Sequence, residues 1–300
     1  FEASVAGGIP ILRTIKEGLA TNKLSRVYGI LNGTCNYILS EMEKTKDSFK
    51  NVLKKAQALG YAEPGNPKLD LNGYDAFAKI RILSSLAFNK KISKKKCLME
   101  GIENLEYKDI DIASQLNFRI KLLGITEIIN GKLFERVHPS LVKKDSYIGN
   151  VNGVMNAVIV EGKPIGESVL QGEGAGPGAT SSALMSDLLS ILRGNIKYPF
   201  GIPDIKRKKP LPYNEKISSN SLYLRLEVKD KPGVLSEITK LLANNKISID
   251  RVIQIPDHKR KSASIIIITH RAIENKSQNL INSLKKNKNI IKKPVKIRLF

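Results

Sequence analysis

The sequence predicts an α/β protein with two domains, a larger one built on a mixed sheet and a smaller one that follows it. Three patterns predict this fold. Apolar residues first recur at helical spacing, then alternate as in strands, and residues 220–300 repeat both patterns in a self-contained order. With 300 residues and 41% hydrophobic side chains, the chain can bury the cores of about two domains.

The helices come mainly from the N-terminal part. Apolar residues three and four apart predict helices near residues 10–20, 34–45, 47–59, 72–88 and 110–116. Each predicted helix has one apolar face, as a helix packed on a sheet requires.

Strands are predicted next. The segments "FRIKLLGITEII" and "KLFERVHPSLV" flank Asn130-Gly131, a strong signal for a two-residue hairpin turn, and "NAVIVEG" adds a further strand. A glycine-rich turn at 172–178 then leads into the helix "TSSALMSDLLSIL", with Thr180 or Ser181 as its expected cap.

The domain boundary is predicted in a stretch rich in proline and basic residues. We assign residues 1–200 to the first domain, 201–219 to a linker and 220–300 to the second domain. The second domain has the order β-α-β-β-α-β, which is typical of a ferredoxin-like fold.

The charge of the chain invites a nucleic-acid interpretation. Fifty Lys and Arg against 28 Asp and Glu give a net charge of +22. The lysines are spread along the chain, however, and aromatic residues for base stacking make up only 6%. We therefore expect no nucleic-acid partner. No apolar run reaches the roughly 18 residues of a membrane span, so we also expect no membrane partner.

Ionisable residues concentrate between residues 61 and 83. Asp75 and Lys79 are four apart on a predicted helix and so lie on one face, while Glu63 and Asp70 precede them on a loop. The simplest interpretation is a surface salt bridge worth about 0.3–0.5 kcal/mol. The apolar residues around the pair, and Gly73 just before the helix, favour a site for a small molecule with an ammonium group and a reacting oxygen.

The glycine motif, the histidines and the cysteines do not form a dinucleotide fingerprint, a metal site or a CxxC motif. Residues 174–179 satisfy GxGxxA, but Pro177 lies inside the motif and no acidic residue follows a second strand, so the dinucleotide fingerprint fails. His138, His258 and His270 lack metal-ligand spacing. Two isolated cysteines without CxxC spacing favour a reducing compartment, and we expect the cytoplasm.

Seven segments together resemble the homoserine dehydrogenase family, in order and over most of residues 1–190. They are "FEASVAGGIPIL", "GILNGTCNYIL", "AQALGYAEP", "DLNGYDAFAK", "VHPSLV", "GNVNGVMNAVIVEG" and "GEGAGPGATSSALMSDLL". The later segment "KDKPGVLSEITKLLANNKISID" is similar to the ACT regulatory domain. The resemblance implies a substrate-binding and dimerisation domain followed by an ACT domain. It also implies NADP- or NAD-dependent interconversion of L-aspartate 4-semialdehyde and L-homoserine, in the pathway to threonine, isoleucine and methionine.

The resemblance also implies roles for the charged residues. Lys79 matches the family's general acid/base, and Asp75 the group that orients the substrate hydroxyl and tunes that lysine. An ammonium at this position can donate a proton as charge builds on the substrate oxygen. The remaining matches to substrate-contact positions are Glu63, Asp70, Tyr61, Gly33 and Thr34, with Glu63 suited to the substrate ammonium.

Two further sites follow from the resemblance alone. It places Gly174 and Gly176 at the nicotinamide end of the cofactor, whereas the residues themselves indicate only a turn into a helix. It also implies a sodium ion bound by Glu2 and by main-chain oxygens near Val5, Gly7 and Ile9. Hard cations do bind carbonyl and carboxylate oxygens.

The sequence departs from the family at two points. The family's dinucleotide-binding domain and a second catalytic lysine precede the segment at Phe1, so we expect the chain alone to bind cofactor poorly and to be inactive. One extra residue near Gly65 separates Glu63 from Asp70, and we expect the loop to accommodate it outward because Gly65 and Pro67 favour a turn.

The second domain leaves alternatives open. Its "DKPGVL" segment puts helix N–H groups beside Gly233, which suits an amino-acid carboxylate and suggests feedback by threonine; the alternative is a domain kept for dimerisation. We also expect the chain to pair with a second copy of itself. Two rival functions remain, a purely regulatory amino-acid-binding protein and a basic nucleic-acid-binding protein.

Overall fold

The computed structural model describes residues 1–95, 97–195, 198–257 and 259–300. The prediction about His258 therefore lies outside the described residues. The chain divides into two compact units, Phe1–Tyr213 and Asn214–Phe300. Within the described ranges, no helix is both long and apolar enough to cross a membrane.

The first unit is organised around a sheet with the strand order β5-β4-β1-β2-β3. The strands are β1 (Lys23–Ile30), β2 (Phe118–Ile129), β3 (Lys132–Lys143), β4 (Met155–Lys163) and β5 (Gly166–Glu173). Neighbouring strands are antiparallel. Parallel bridges from Met99 to Val137 and from Pro212 to Leu133 extend the β3 edge. The α/β fold with a mixed sheet is therefore confirmed.

Seven α-helices accompany this sheet in the described part of the unit. They are α1 (Ile11–Arg13, continued by a π-helical turn, Thr14–Gly18), α2 (Gly33–Thr45), α3 (Phe49–Ala58), α4 (Lys68–Leu71), α5 (Tyr74–Ala87), α6 (Tyr107–Gln115) and α7 (Pro177–Leu192). The predicted helices are all present, with the predicted segment 72–88 corresponding to α5.

The hairpin prediction is confirmed. Asn130 and Gly131 connect β2 to β3, and both have positive φ, 49° and 75°. This is the conformation that a two-residue hairpin turn requires and that Asn and Gly adopt most readily.

The predicted cap of α7 is wrong. The helix begins at Pro177 with Gly176 as its N-cap residue, so Thr180 and Ser181 lie within its first turns. Proline suits the first helical position because its missing N–H has no intrahelical partner there. The Ser181 hydroxyl instead donates back to the Pro177 carbonyl, 2.5 Å away.

The division between the units falls inside the stretch that the sequence assigns to a linker. Residues up to Tyr213 belong to the first unit, where Leu211 and Tyr213 exchange main-chain hydrogen bonds of 2.7 Å with Leu133. Arg207 is buried and donates to the Lys90 carbonyl at 2.9 Å. These residues therefore pack against the first unit.

The second unit has the order predicted for a ferredoxin-like fold. Its elements are β6 (Ser219–Asn220), β7 (Leu222–Lys229), α8 (Val234–Asn244), β8 (Ile249–Asp257), β9 (Ser262–Thr269), β10 (Ala272–Ile273), α9 (Glu274–Lys286) and β11 (Val295–Leu299). Strands β11, β7, β9 and β8 form antiparallel pairs in that order. Apolar side chains from the sheet and both helices share one core, which stabilises the unit.

Candidate active site

Helix α5 carries two of the predicted site residues and packs closely on the sheet. Its N-cap, Gly73, has φ of 86°, a conformation that favours glycine. The helix lies against β2 at Gly124, where an added Cβ would be 3.3 Å from Ile80. This contact fixes the position of Asp75 and Lys79 relative to the strands.

The end of β1 forms the other side of the site. After Leu31 the chain turns into α2, and the buried Asn32 is its N-cap residue. The Asn32 Oδ1 atom accepts from the Cys35 N–H at 2.8 Å. This cap satisfies a helix N–H group and leaves the Asn32 amide NH₂ directed at side chains of α4 and α5.

Hydrogen bonds connect the predicted charged residues. Asn32 Nδ2 donates to Asp70 Oδ1 at 2.8 Å and to Asp75 Oδ2 at 2.9 Å. Lys79 Nζ lies 2.8 Å from the same Asp75 oxygen and donates to the Leu31 carbonyl at 3.1 Å. The side chains of Lys79 and Asp75 are 22% and 30% exposed, so the ammonium is held in place but remains reachable.

A pocket of about 270 Å³ opens beside these groups. Its lining includes three predicted carboxylate residues, Glu63, Asp70 and Asp75. The inserted residue Gly65 has φ of 88° and open space above it. Glu63 therefore lines the pocket despite the extra residue in its loop.

The environment of Asp70 raises the pKa of its carboxyl. Burial is the largest cause, and the nearby Asp75 and Glu63 carboxylates act in the same direction, whereas the Asn32 hydrogen bond and Lys79 oppose it. A ligand ammonium would stabilise the ionised form of Asp70, so the pocket favours a cationic group. The Cys35 thiol is buried and its pKa is raised, mainly by burial, which makes it unsuited to nucleophilic attack.

Three other predicted substrate residues lie next to the pocket. The Thr34 hydroxyl donates to the Tyr61 carbonyl at 2.6 Å, which ties the start of α2 to the loop bearing Glu63. The Tyr61 ring packs on Tyr37 with centroids 4.9 Å apart. Gly33 lies against the main chain, since an added Cβ would be 2.8 Å from the Val154 carbonyl oxygen. In the part of the chain that the structure describes, the lining of the pocket does not include these three residues.

The predicted cofactor glycines occupy the turn between β5 and α7. Gly176 has φ of 115°, and no atom of the described residues lies within 4 Å of an added Cβ. Gly174 is packed instead, because an added Cβ there would be 2.2 Å from the Asn156 side chain. Strand β5 is antiparallel to β4, so this turn is not the first turn of a parallel dinucleotide-binding unit.

The predicted sodium residues surround the start of α1. Glu2 is 5% exposed, and its carboxylate accepts from Leu12 N–H at 2.7 Å and from Arg13 N–H at 3.0 Å. Burial raises the pKa of Glu2. The main-chain N–H groups satisfy part of the carboxylate, and a cation would offset the remaining cost of burying it.

Sequence reasoning missed Asn32 and Lys121. Asn32 lies inside the quoted segment "GILNGTCNYIL", but its bridge to two carboxylates depends on how β1 and α5 meet. Lys121 is 1% exposed and donates to Asn36 Oδ1 at 3.1 Å, and burial lowers its pKa to about 8. Lys121 lies within the strand "FRIKLLG", and its hydrogen bond to Asn36 connects β2 to α2.

The fold and site define an α/β protein with a carboxylate-lined pocket in its first unit and a second unit with the element order of a ferredoxin-like fold. The profile of the homoserine dehydrogenase family matches residues 10–189, and that of the ACT domain matches residues 222–289. The chain belongs to the homoserine dehydrogenase family.

Individual relatives agree with this assignment. Homoserine dehydrogenase from Neisseria gonorrhoeae is 43% identical over 91% of the chain and 64% of its own length. The enzyme from Helicobacter pylori is 42% identical over 100% of the chain and 70% of its own length. The crystal structure of a homoserine dehydrogenase from Thiobacillus denitrificans has a TM-score of 0.90 at 38% identity, covering 100% of the chain and 69% of that structure. The chain thus spans about two thirds of the length of these relatives.

Proposed function

We propose that this chain is the substrate-binding and catalytic part of an enzyme that interconverts L-aspartate 4-semialdehyde and L-homoserine. The observation that carries the proposal is the hydrogen-bonded series from Asp70 through Asn32 and Asp75 to Lys79 at the edge of the pocket. It combines carboxylates that attract an ammonium with a lysine that can exchange a proton.

The substrate ammonium binds among the carboxylates of Glu63 and Asp70. The substrate hydroxyl then lies near Asp75 and Lys79. When homoserine is oxidised, the hydroxyl proton passes to Lys79 Nζ as the carbon gives up a hydride. When the aldehyde is reduced, the Lys79 ammonium returns the proton to the oxygen on which charge develops. The Leu31 carbonyl and Asp75 hold Lys79 in position in both directions of the reaction.

NADP or NAD supplies the hydride chemistry. The open space at Gly176 and the N-terminus of the 16-residue helix α7 suit the approach of a flat ring or a polar group. We assign the nicotinamide end of the cofactor to the turn that holds Gly174 and Gly176. Glu2 and the main-chain oxygens near Val5, Gly7 and Ile9 fit a sodium ion, because the buried Glu2 carboxylate has no positive side chain among its hydrogen-bond donors in the described residues.

The second unit supports a regulatory role. We propose that it binds threonine near Gly233, whose φ is 87° and which has open space above it at the start of α8. We also propose that the chain assembles as a homodimer or higher homo-oligomer. Cys35 is a free, buried thiol, which supports the reducing cytoplasm as the compartment of the protein.

Changing Asp70 to asparagine tests the substrate site in the chain as it stands. D70N keeps the shape of the side chain but removes its charge, so we expect L-homoserine to bind about tenfold to a hundredfold more weakly, as expected when a charged hydrogen bond is lost. Isothermal titration calorimetry on the chain measures this directly. D145N, which changes an exposed aspartate outside the pocket, should bind like the wild type. Equal binding by D70N and wild type would contradict the assignment.

A further inference from the structure

Asn156, at the start of β4, has a buried side-chain amide. The residue is 1% exposed. In the described part of the chain, neither its Nδ2 nor its Oδ1 atom has a hydrogen-bond partner. Burying an unpaired amide costs free energy, so such a side chain points to a partner that arrives later.

The surroundings of Asn156 place it between the substrate residues and the turn assigned to the cofactor. Ala157 pairs with Ile30, so Asn156 lies beside Leu31, whose carbonyl accepts from Lys79. An added Cβ at Gly174 would be 2.2 Å from Asn156 Cγ, and one at Gly33 would be 3.8 Å from Asn156 Oδ1. The amide therefore lies directly against the glycine turn.

Asn36 provides a comparison within the same unit. It is also 1% exposed, but its Nδ2 donates to the carbonyls of Val151 and Met155 at 3.2 and 3.1 Å, and its Oδ1 accepts from Lys121 at 3.1 Å. Among the described residues, the fold thus satisfies the hydrogen-bonding groups of Asn36 and leaves those of Asn156 unpaired. Polar groups that can pair with an amide are therefore present in this region, so their scarcity does not explain why Asn156 is unpaired.

We propose that Asn156 is a positioning residue for the cofactor. Its amide binds the main chain of the Gly174–Gly176 turn when the nicotinamide end settles against Gly176. This inference rests on the proposed function, because it takes the ligand at that turn to be a nicotinamide dinucleotide.

Glycine at position 174 permits the required movement. The Gly174 carbonyl now packs against Gly7, where an added Cβ would be 2.5 Å from the carbonyl oxygen. Rotation of the Gly174–Ala175 peptide turns that oxygen towards Asn156 Nδ2, and glycine accepts the change of backbone conformation with little strain. The new hydrogen bond then holds the turn in its ligand-binding form.

The test compares N156L with N36L, two replacements of a buried amide by an apolar side chain of similar size. Thermal unfolding is measured on the full-length gene product and on the chain. The dissociation constant for NADPH is measured on the full-length product by fluorescence titration, and L-homoserine binding to the chain by calorimetry. We expect N156L to unfold at or above the wild-type temperature, because it removes an unpaired buried amide, whereas N36L unfolds lower. We expect N156L to bind NADPH about tenfold more weakly, the effect of losing one hydrogen bond, and L-homoserine as the wild type does.

Each other outcome overturns the proposal in a recognisable way. If N156L unfolds at a temperature as low as that of N36L, the Asn156 amide has a structural partner, such as a buried water molecule. If N156L matches the wild type in both stability and NADPH affinity, Asn156 does not position the turn. If the wild-type full-length product binds no NADPH or NADH, the proposed function itself fails and this inference fails with it.

Discussion

Replacing Lys79 by methionine is expected to lower kcat for homoserine oxidation by about a hundredfold or more, the usual contribution of a positioned acid or base. Methionine keeps most of the side-chain volume but can neither accept nor donate the proton. Lys79 is held by Asp75 and the Leu31 carbonyl, so its role depends on a fixed position at the pocket edge. The assay follows NADPH appearance with the full-length gene product.

The effect should fall on catalysis and leave the fold intact. The Lys79–Asp75 pair is an i,i+4 pair that is partly exposed, and such pairs contribute only about 0.3–0.5 kcal/mol to stability. K79R should also lose activity, because arginine keeps the charge but does not release its proton near neutral pH. K54M, on the exposed face of α3, is the matched control. A K79M protein with kcat close to that of K54M would refute the acid/base role.

Replacing Glu274 by glutamine is expected to lower the free energy of unfolding of the second unit by about 3 kcal/mol, since it removes the negative charge from a buried ion-pair cluster. Glu274 accepts from Lys296 Nζ at 2.8 Å and from Arg298 Nη2 at 2.7 Å, and Arg298 is 1% exposed. Urea unfolding measures the change. D257N removes an exposed partner of Arg260 and should change stability by less than about 0.5 kcal/mol.

The lowered pKa of Glu274 predicts that the stability of the second unit depends on pH. Burial would raise the pKa of Glu274, but Arg298 and Lys296 outweigh it and lower the pKa to about 2, from an ordinary value of 4.5. A lowered pKa means that the unfolded state binds more protons, so the stabilisation is complete above pH 4.5 and is lost as pH falls towards 2. The difference between wild type and E274Q should therefore shrink over this interval. A constant difference down to pH 2 would contradict the ion-pair account.

Local patterns predicted the elements whose residues carry their own signal. Asn130-Gly131 specifies a hairpin because both residues tolerate positive φ, and the second unit follows from regular alternation between strand and helix periodicity. Strands β1 and β5 were not predicted. β1 mixes Lys23, Ser25 and Arg26 with apolar residues and becomes central only through its pairing with β2 and β4.

The site was predictable only in part. The spacing of Asp75 and Lys79 placed them on one helical face, and the carboxylates on the preceding loop drew attention to Glu63 and Asp70, to which the family resemblance then gave substrate-binding roles. The roles of Asn32 and Asn156 depend on contacts between distant segments, as when Asn32 bridges residues 38 and 43 positions away. No local pattern in the sequence encodes such contacts, so these two asparagines emerged from the structure alone.

The most direct test of the central claim is oxidation of L-homoserine by the wild-type full-length gene product, followed as NADPH or NADH appearance. If the carboxylate pocket and Lys79 act as described, the protein reduces the dinucleotide in the presence of L-homoserine. A correctly folded product that produces no NADPH or NADH would contradict the account and favour a regulatory amino-acid-binding protein instead.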